Sequence, residues 1–194
     1  MSFSSAEVYS PYELDQLAIK VAGGESYVRN DCVGTFNVER GTRTVSKKCK
    51  GNTTKRKTKP TGEGSIEIHA HILLDLYRAL NGMTNEGLQP GVYAFDNTVP
   101  MPECSITAKV KDEDDNVMYK AFPRCKIEEI NKLEITNGSE EVAEVSMKLA
   151  FMPDAYNKGE YEALEAELTG SVLTAENWMT EFSSTLAQAS SGNH

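Results

Sequence analysis

The sequence predicts a mainly β protein (α+β): an antiparallel β-sandwich or barrel with one flanking α-helix, a long basic loop or hairpin arm and a helical C-terminal segment. Three observations predict it. Several stretches alternate apolar and polar side chains with period two. Helical stretches are few and short. The strands of the middle region follow one another without long helices between them, which argues against a βαβ sheet. With 194 residues and 39% hydrophobic content, the chain holds enough apolar surface for one good core. One domain is therefore expected over 1–194, with a protruding basic arm at 40–62 and a helical extension at 155–194.

The elements can be taken in order. Residues 1–22 place Leu14, Leu17, Ala18 and Val21 on a helical stripe that Gly23-Gly24 closes, so a weak helix is expected. SYVRNDCVGTFNVER is rich in Tyr, Val, Phe and Thr and reads as strand, with Gly34 as a bulge position. Residues 40–62 carry one large apolar side chain, Val45. They cannot feed a core and predict an exposed loop or a protruding hairpin. In GSIEIHAHILLDLYRALNGM, Ile66, Ile68, Ala70 and Ile72 alternate with Glu67, His69 and His71, a half-buried strand. From Leu73 the period becomes helical, and Asn81-Gly82 stops the helix after about two to three turns. SITAKVKDEDDNVMYKAFPRCKIEEI predicts a hairpin turning at DEDDN. Pro123 puts its strand at an edge or on a bulge. KIEEINKLEIT and EVAEVSMKLAFM are two further strands joined at NGSEE. YEALEAELTG and TAENWMTEFSSTLAQA read as helical or irregular, the second capped by Thr174 with Asn177 at its third position.

The charge is uneven. Net charge is −9, yet residues 1–60 carry +5 and residues 61–194 carry −14. Nine basic residues lie between Arg40 and Lys59. A positive arm on a negative body is complementary to copies of itself. No apolar run approaches the ~20 residues a bilayer span needs. MSFSSAEVYSPYELDQ has no basic region followed by an apolar one, so no signal peptide is expected and the chain is expected to stay in the cytosol. Cys32, Cys49, Cys104 and Cys125 have no C-x-x-C spacing; free thiols are expected, buried in strands except for Cys49.

No motif names a reaction, and no enzyme activity or cofactor is expected. His69-Ala70-His71 sets two imidazoles on one strand face, as metal-dependent hydrolases do, but Glu67 is the only further ligand nearby and His194 sits at the chain end. A small metal-dependent hydrolase is thus the weakest alternative. Asp112, Asp114 and Asn116 mimic the start of a calcium loop, yet Val117 stands where such a loop needs Gly. Phosphate-binding and nucleophile-elbow signatures are absent. The basic run gives the stronger alternative, nucleic-acid binding through the 40–60 loop. No aromatic residue interleaves with the charges to stack on bases. The same run also suits docking on the acidic surface of a neighbouring copy.

Three stretches carry a resemblance: GEGSIEIHAHILLDLYRALNGM, ECSITAKVKDEDDNVMYKAFPRCKIEEI and EVAEVSMKLAFMPD. Together they cover roughly residues 62–154 and resemble the major tail tube proteins of long-tailed (siphophage-type) bacteriophages of Gram-positive hosts. The likeness is one of pattern and layout. It implies a structural virion protein, made in the host cytoplasm, that self-assembles into stacked and commonly hexameric rings. Its partners would be copies of itself and other tail proteins, with no membrane, and DNA would pass through the lumen without specific binding. Under that resemblance Arg40, Arg43, Lys47, Lys48, Lys50, Lys55, Arg56, Lys57 and Lys59 form an inter-subunit contact arm. Asp112, Glu113, Asp114 and Asp115, or the acids of 160–167, offer a counter-surface.

Overall fold

The computed structural model describes residues 9–50, 52–132, 135, 137–138 and 142–189. Its strands are β1 (Pro11–Val21), β2 (Val28–Asn30), β3 (Val33–Cys49), β4 (Asn52–Ala70), β5 (Glu103–Asp112), β6 (Val117–Lys132), β7 (Val145–Phe151) and β8 (Tyr161–Leu164). Helix α1 spans Leu74–Leu80, a 3-10 turn spans Glu165–Glu167, and helix α2 spans Ala175–Glu181. All strands join one antiparallel sheet in the order β2-β1-β5-β6-β7-β4-β3, and β8 adds to β6. The mainly β class with helical flanks is therefore what the sequence predicts. Among the described residues no helix is long and apolar enough to cross a membrane.

The sheet is strongly curled. Leu17 and Ile19 of β1 share a core with Ile66 and Ile68 of β4, although three strands separate them in sheet order. Ile106, Phe122, Met147 and Leu149 fill that core, and Leu76 and Leu80 of α1 close it. The opposite face presents Ala18, Tyr119 and Ala121 to Leu173, Trp178, Met179 and Phe182, a second cluster built by α2. Thr174 caps α2 by accepting from Asn177 N, while Asn177 Oδ1 accepts from Thr174 N, the capping box its sequence predicts.

Three local expectations are corrected. Pro11–Val21 is a strand, not a helix. Its Leu17-Ala18-Ile19 run is buried at three consecutive positions because each face of the sheet has its own core, and that erases the period-two signal. Tyr161–Leu164 is a strand beside β6, so the acidic YEALEAELTG stretch is not a continuous helix. Cys32 is exposed along with Cys49, whereas Cys104 and Cys125 are buried. His194, residues 1–8 and part of the NGSEE turn lie outside the described residues. Pro123 falls on a bulge: between the pairs Ile106↔Phe122 and Cys104↔Cys125, β6 has one more residue than β5.

Burial pushes the Cys104 thiol up to about 12 and the Cys125 thiol well above its ordinary value. Native protein in mild alkali is therefore expected to give up two of its four thiols to an aromatic disulfide reagent, Cys32 and Cys49, and all four after denaturation. Fast reaction of Cys104 or Cys125 in peptide mapping contradicts the burial.

The register defines two ends of the molecule. One carries the β5–β6 turn, the start of β1 and the 3-10 turn, because Pro11 pairs with Asp112 and Met118 with Leu164. The other carries the β1–β2 turn, α1, the segment 81–102 and residues 142–144, because Val21 pairs with Cys104 and Ala70 with Val145. We call them the turn end and the helix end.

Candidate functional site

The basic run is a β-ribbon. β3 and β4 pair from Val33↔Ala70 out to Cys49↔Asn52. β4 pairs with β7 only between Gly64 and Ala70, so residues beyond Gly64 leave the sheet body. The free part of β3, Thr42 to Cys49, reaches about 26 Å at ~3.3 Å per residue. All described residues of 42–61 are exposed. Lys50 takes positive φ (48°) at the tip.

The register sorts the ribbon into two unlike faces. The pairs Arg43↔Lys59, Val45↔Lys57 and Lys47↔Lys55 share one face. Thr42↔Pro60, Thr44↔Thr58 and Ser46↔Arg56 share the other, where the Thr44 and Thr58 hydroxyls lie 2.9 Å apart. One face is thus five cations around a single valine. Like charges directly opposite destabilise a strand pair, and 42–61 contains no Asp or Glu. Among the described residues none of these five cations is ion-paired within the chain. A two-stranded ribbon is marginal by itself, and this one has no acid between 42 and 61 to offset its cations.

The ribbon is held at its root. Between Arg40↔Gly64 and Thr42↔Pro60, β4 has two more residues than β3. Gly62 turns there with φ 78°, and Thr61 Oγ1 donates to Gly41 O at 3.1 Å. Arg40 makes a two-point contact with Glu160, Nε–Oε2 2.5 Å and Nη2–Oε1 2.7 Å. Lys120 Nζ donates to Glu160 Oε1 (3.1 Å) and Glu162 Oε2 (2.8 Å). Burial works against the Glu160 charge, but Arg40 and Lys120 together outweigh it and hold the carboxyl below its ordinary value. Arg40 is therefore occupied within its own chain, as an anchor rather than a free arm cation. A shallow groove of about 640 Å³ runs along this root, lined by Glu39, Arg40, Thr61, Glu63 and Lys148 among others.

The anchor gives a pH-dependent prediction. Glu160→Gln is expected to cost about 2 kcal/mol, the range for breaking a buried pair, reduced because Arg40 is largely exposed. The folded pKa is depressed, so this stability is present above the ordinary carboxylate range and lost as pH falls through the folded value. Urea melts should show the gap between wild type and variant closing on acidification. A gap that stays constant with pH contradicts the ion pair.

The remaining candidates are placed as follows. Asp112 is tucked into its own turn, accepting from Asp114 N (2.9 Å), Asn116 N (2.8 Å) and Asn116 Nδ2 (2.9 Å). The Asn116 side chain is the main cause of its lowered pKa. It organises the turn, while Glu113, Asp114 and Asp115 are exposed. His69 Nε2 sits 3.3 Å from Glu67 Oε1. His71 lies past the end of β4, its N–H donating to Cys32 O at 2.9 Å. Among the described residues no three His, Cys, Asp or Glu converge as metal ligands do. The sequence offers Glu160 only among the acids of 160–167, as a counter-surface for another copy, and does not single out Lys120; the fold instead brings both to Arg40 of the same chain from three distant segments, and the paired glycines of GEG at 62–64 are the one local cue that the chain kinks there.

No family model and no curated protein matches the chain. Two solved structures are similar to it: the anti-feeding prophage cap, described as the tube terminating cap (10% identity, 84% of this chain, 99% of that chain, TM-score 0.40), and the six-fold symmetrised anti-feeding prophage baseplate (8% identity, 84% of this chain, 97% of that chain, TM-score 0.41).

Proposed function

We propose that the chain is a structural subunit of a phage-tail-like tube, associating with copies of itself through the β3–β4 ribbon. The observation that carries this is the ribbon itself: an arm whose five basic-face cations have no ion pair among the described residues and no acid within 42–61. Building such a face costs repulsion and conformational entropy that only contacts with another molecule offset. The tail-tube pattern of residues 62–154 supports the same reading. The chain acts as one unit, with 42–61 as the arm; stacked rings, commonly hexameric, are the assembly this implies, with no catalytic role. In the particle it would lie in the tail and contact other tail proteins.

Light scattering after gel filtration, with negative-stain electron microscopy of a concentrated sample, tests it. Rings or tubes are expected from the full chain, and their loss on deleting 43–59. Particles that persist without the arm sink the role given to it.

A further inference from the structure

Resting on that reading, we infer that the arm of one copy docks on the helix end of the next, not on the acidic β5–β6 turn. Strand direction excludes the turn in a head-to-tail stack. β4 runs from the arm tip into the body and pairs antiparallel with β7, so the arm continues past Phe151, which pairs with Cys125 of β6. Continuing the same way, β6 reaches Val117, opposite Lys111 beside the turn. The arm tip and Glu113, Asp114 and Asp115 therefore belong to the same end. Translation along one axis brings an arm to the opposite end of its neighbour, and a contact between unlike ends propagates as a filament.

The helix end has the chemistry to receive it. Glu25, Asp75, Glu86 and Glu144 are exposed in its turns, helix and connecting segments. Three of its cations are already engaged, while Lys126, opposite Glu103, makes no ion pair among the described residues and Lys20 donates to the Glu25 carbonyl at 3.1 Å. Arg29 is paired with Asp31, Arg78 with Asp75 and the Tyr93 ring, and Arg124 with Glu103. Glu25, Glu86 and Glu144 carry no ion pair among the described residues. Exposed apolar side chains accompany them: Leu73, Leu74 and Phe95 are each more than half exposed. The basic face of the ribbon is five cations around Val45, itself 59% exposed. Exposed acids and apolar side chains at that end, and base around a valine on the ribbon, are complementary in charge and in polarity.

A charge exchange tests the pairing. One chain carries Lys55→Glu, Lys57→Glu and Lys59→Glu; a second carries Glu25→Lys, Glu86→Lys and Glu144→Lys. All six positions are exposed, and circular dichroism checks that both chains fold. At low ionic strength each variant alone is expected to associate about tenfold or more weakly than wild type, because like charges then meet. The equimolar mixture is expected to recover association, since each arm finds an opposite helix end. A mixture as weak as its parts overturns the inference. So does loss of association on reversing Glu113, Asp114 and Asp115 while the helix-end variant still assembles; the self-association reading then survives. A wild-type chain that is monomeric at every concentration overturns both. Salt-sensitive retardation of duplex DNA, lost with the arm variant, would then assign the ribbon to a polyanion.

Discussion

Gly64→Val is expected to unfold the protein or to lower its stability by about 3 kcal/mol or more. Gly64 is the residue at which the ribbon enters the body. A Cβ there would overlap the Glu39 carbonyl oxygen and the ring of Phe151. Neither obstacle gives way easily. The first is backbone of the paired strand, opposite neighbours of Gly64 in the ladder. The second is a core ring, 2% exposed, packed 5.2 Å from the ring of Phe122. Close-packed interiors transmit such strain instead of absorbing it. Gly87→Ala is the control. That residue has φ 72° with nothing near its missing Cβ, so only the backbone conformation is strained, at about 1 kcal/mol. Denaturant midpoints separate the two. Equal shifts would mean that the arm root is not built against the core.

How much of this the sequence shows differs by element, for physical reasons. Ile66, Ile68 and Ala70 alternate with Glu67 and His69 because only one face of β4 meets a core, and the strand is legible. β1 is not, because Leu17 and Ile19 face one core and Ala18 the other. The arm is legible as an exposed basic segment from composition alone. Whether it is loop or ribbon is not, since its Thr and Val residues favour strand weakly while Arg43 against Lys59 and Lys47 against Lys55 oppose pairing. The anchor is invisible locally: Arg40 and Glu160 are 120 positions apart. The direction of the arm is likewise a property of the whole ladder. A sequence that shows a basic segment and an acidic turn invites their pairing, and only the register puts both at one end.

Trp178→Ala should release α2 without unravelling the curled sheet. Trp178 is the only tryptophan of the chain and is 3% exposed. Its ring lies 5.0 Å from Phe182 and 6.0 Å from Tyr119, and its Nε1–H donates to Lys120 O at 3.2 Å. Truncating a buried Trp costs about 3–5 kcal/mol, and it leaves the Lys120 carbonyl without that donor. Helix α2 has seven residues, too few to persist once undocked, even with the Thr174 cap intact. The cluster it serves is separate from the one that holds β1, β4, β5, β6 and β7 together. The loss should therefore be local. Hydrogen exchange is expected to show amides of 175–182 exchanging freely while those of β5 and β6 stay protected. Uniform loss of protection would mean that both clusters form one cooperative unit. The variant also separates the two parts of the assembly reading. Its arm and helix end are untouched, so arm-dependent association should persist; if association disappears with α2, the face under that helix takes part in the contact as well.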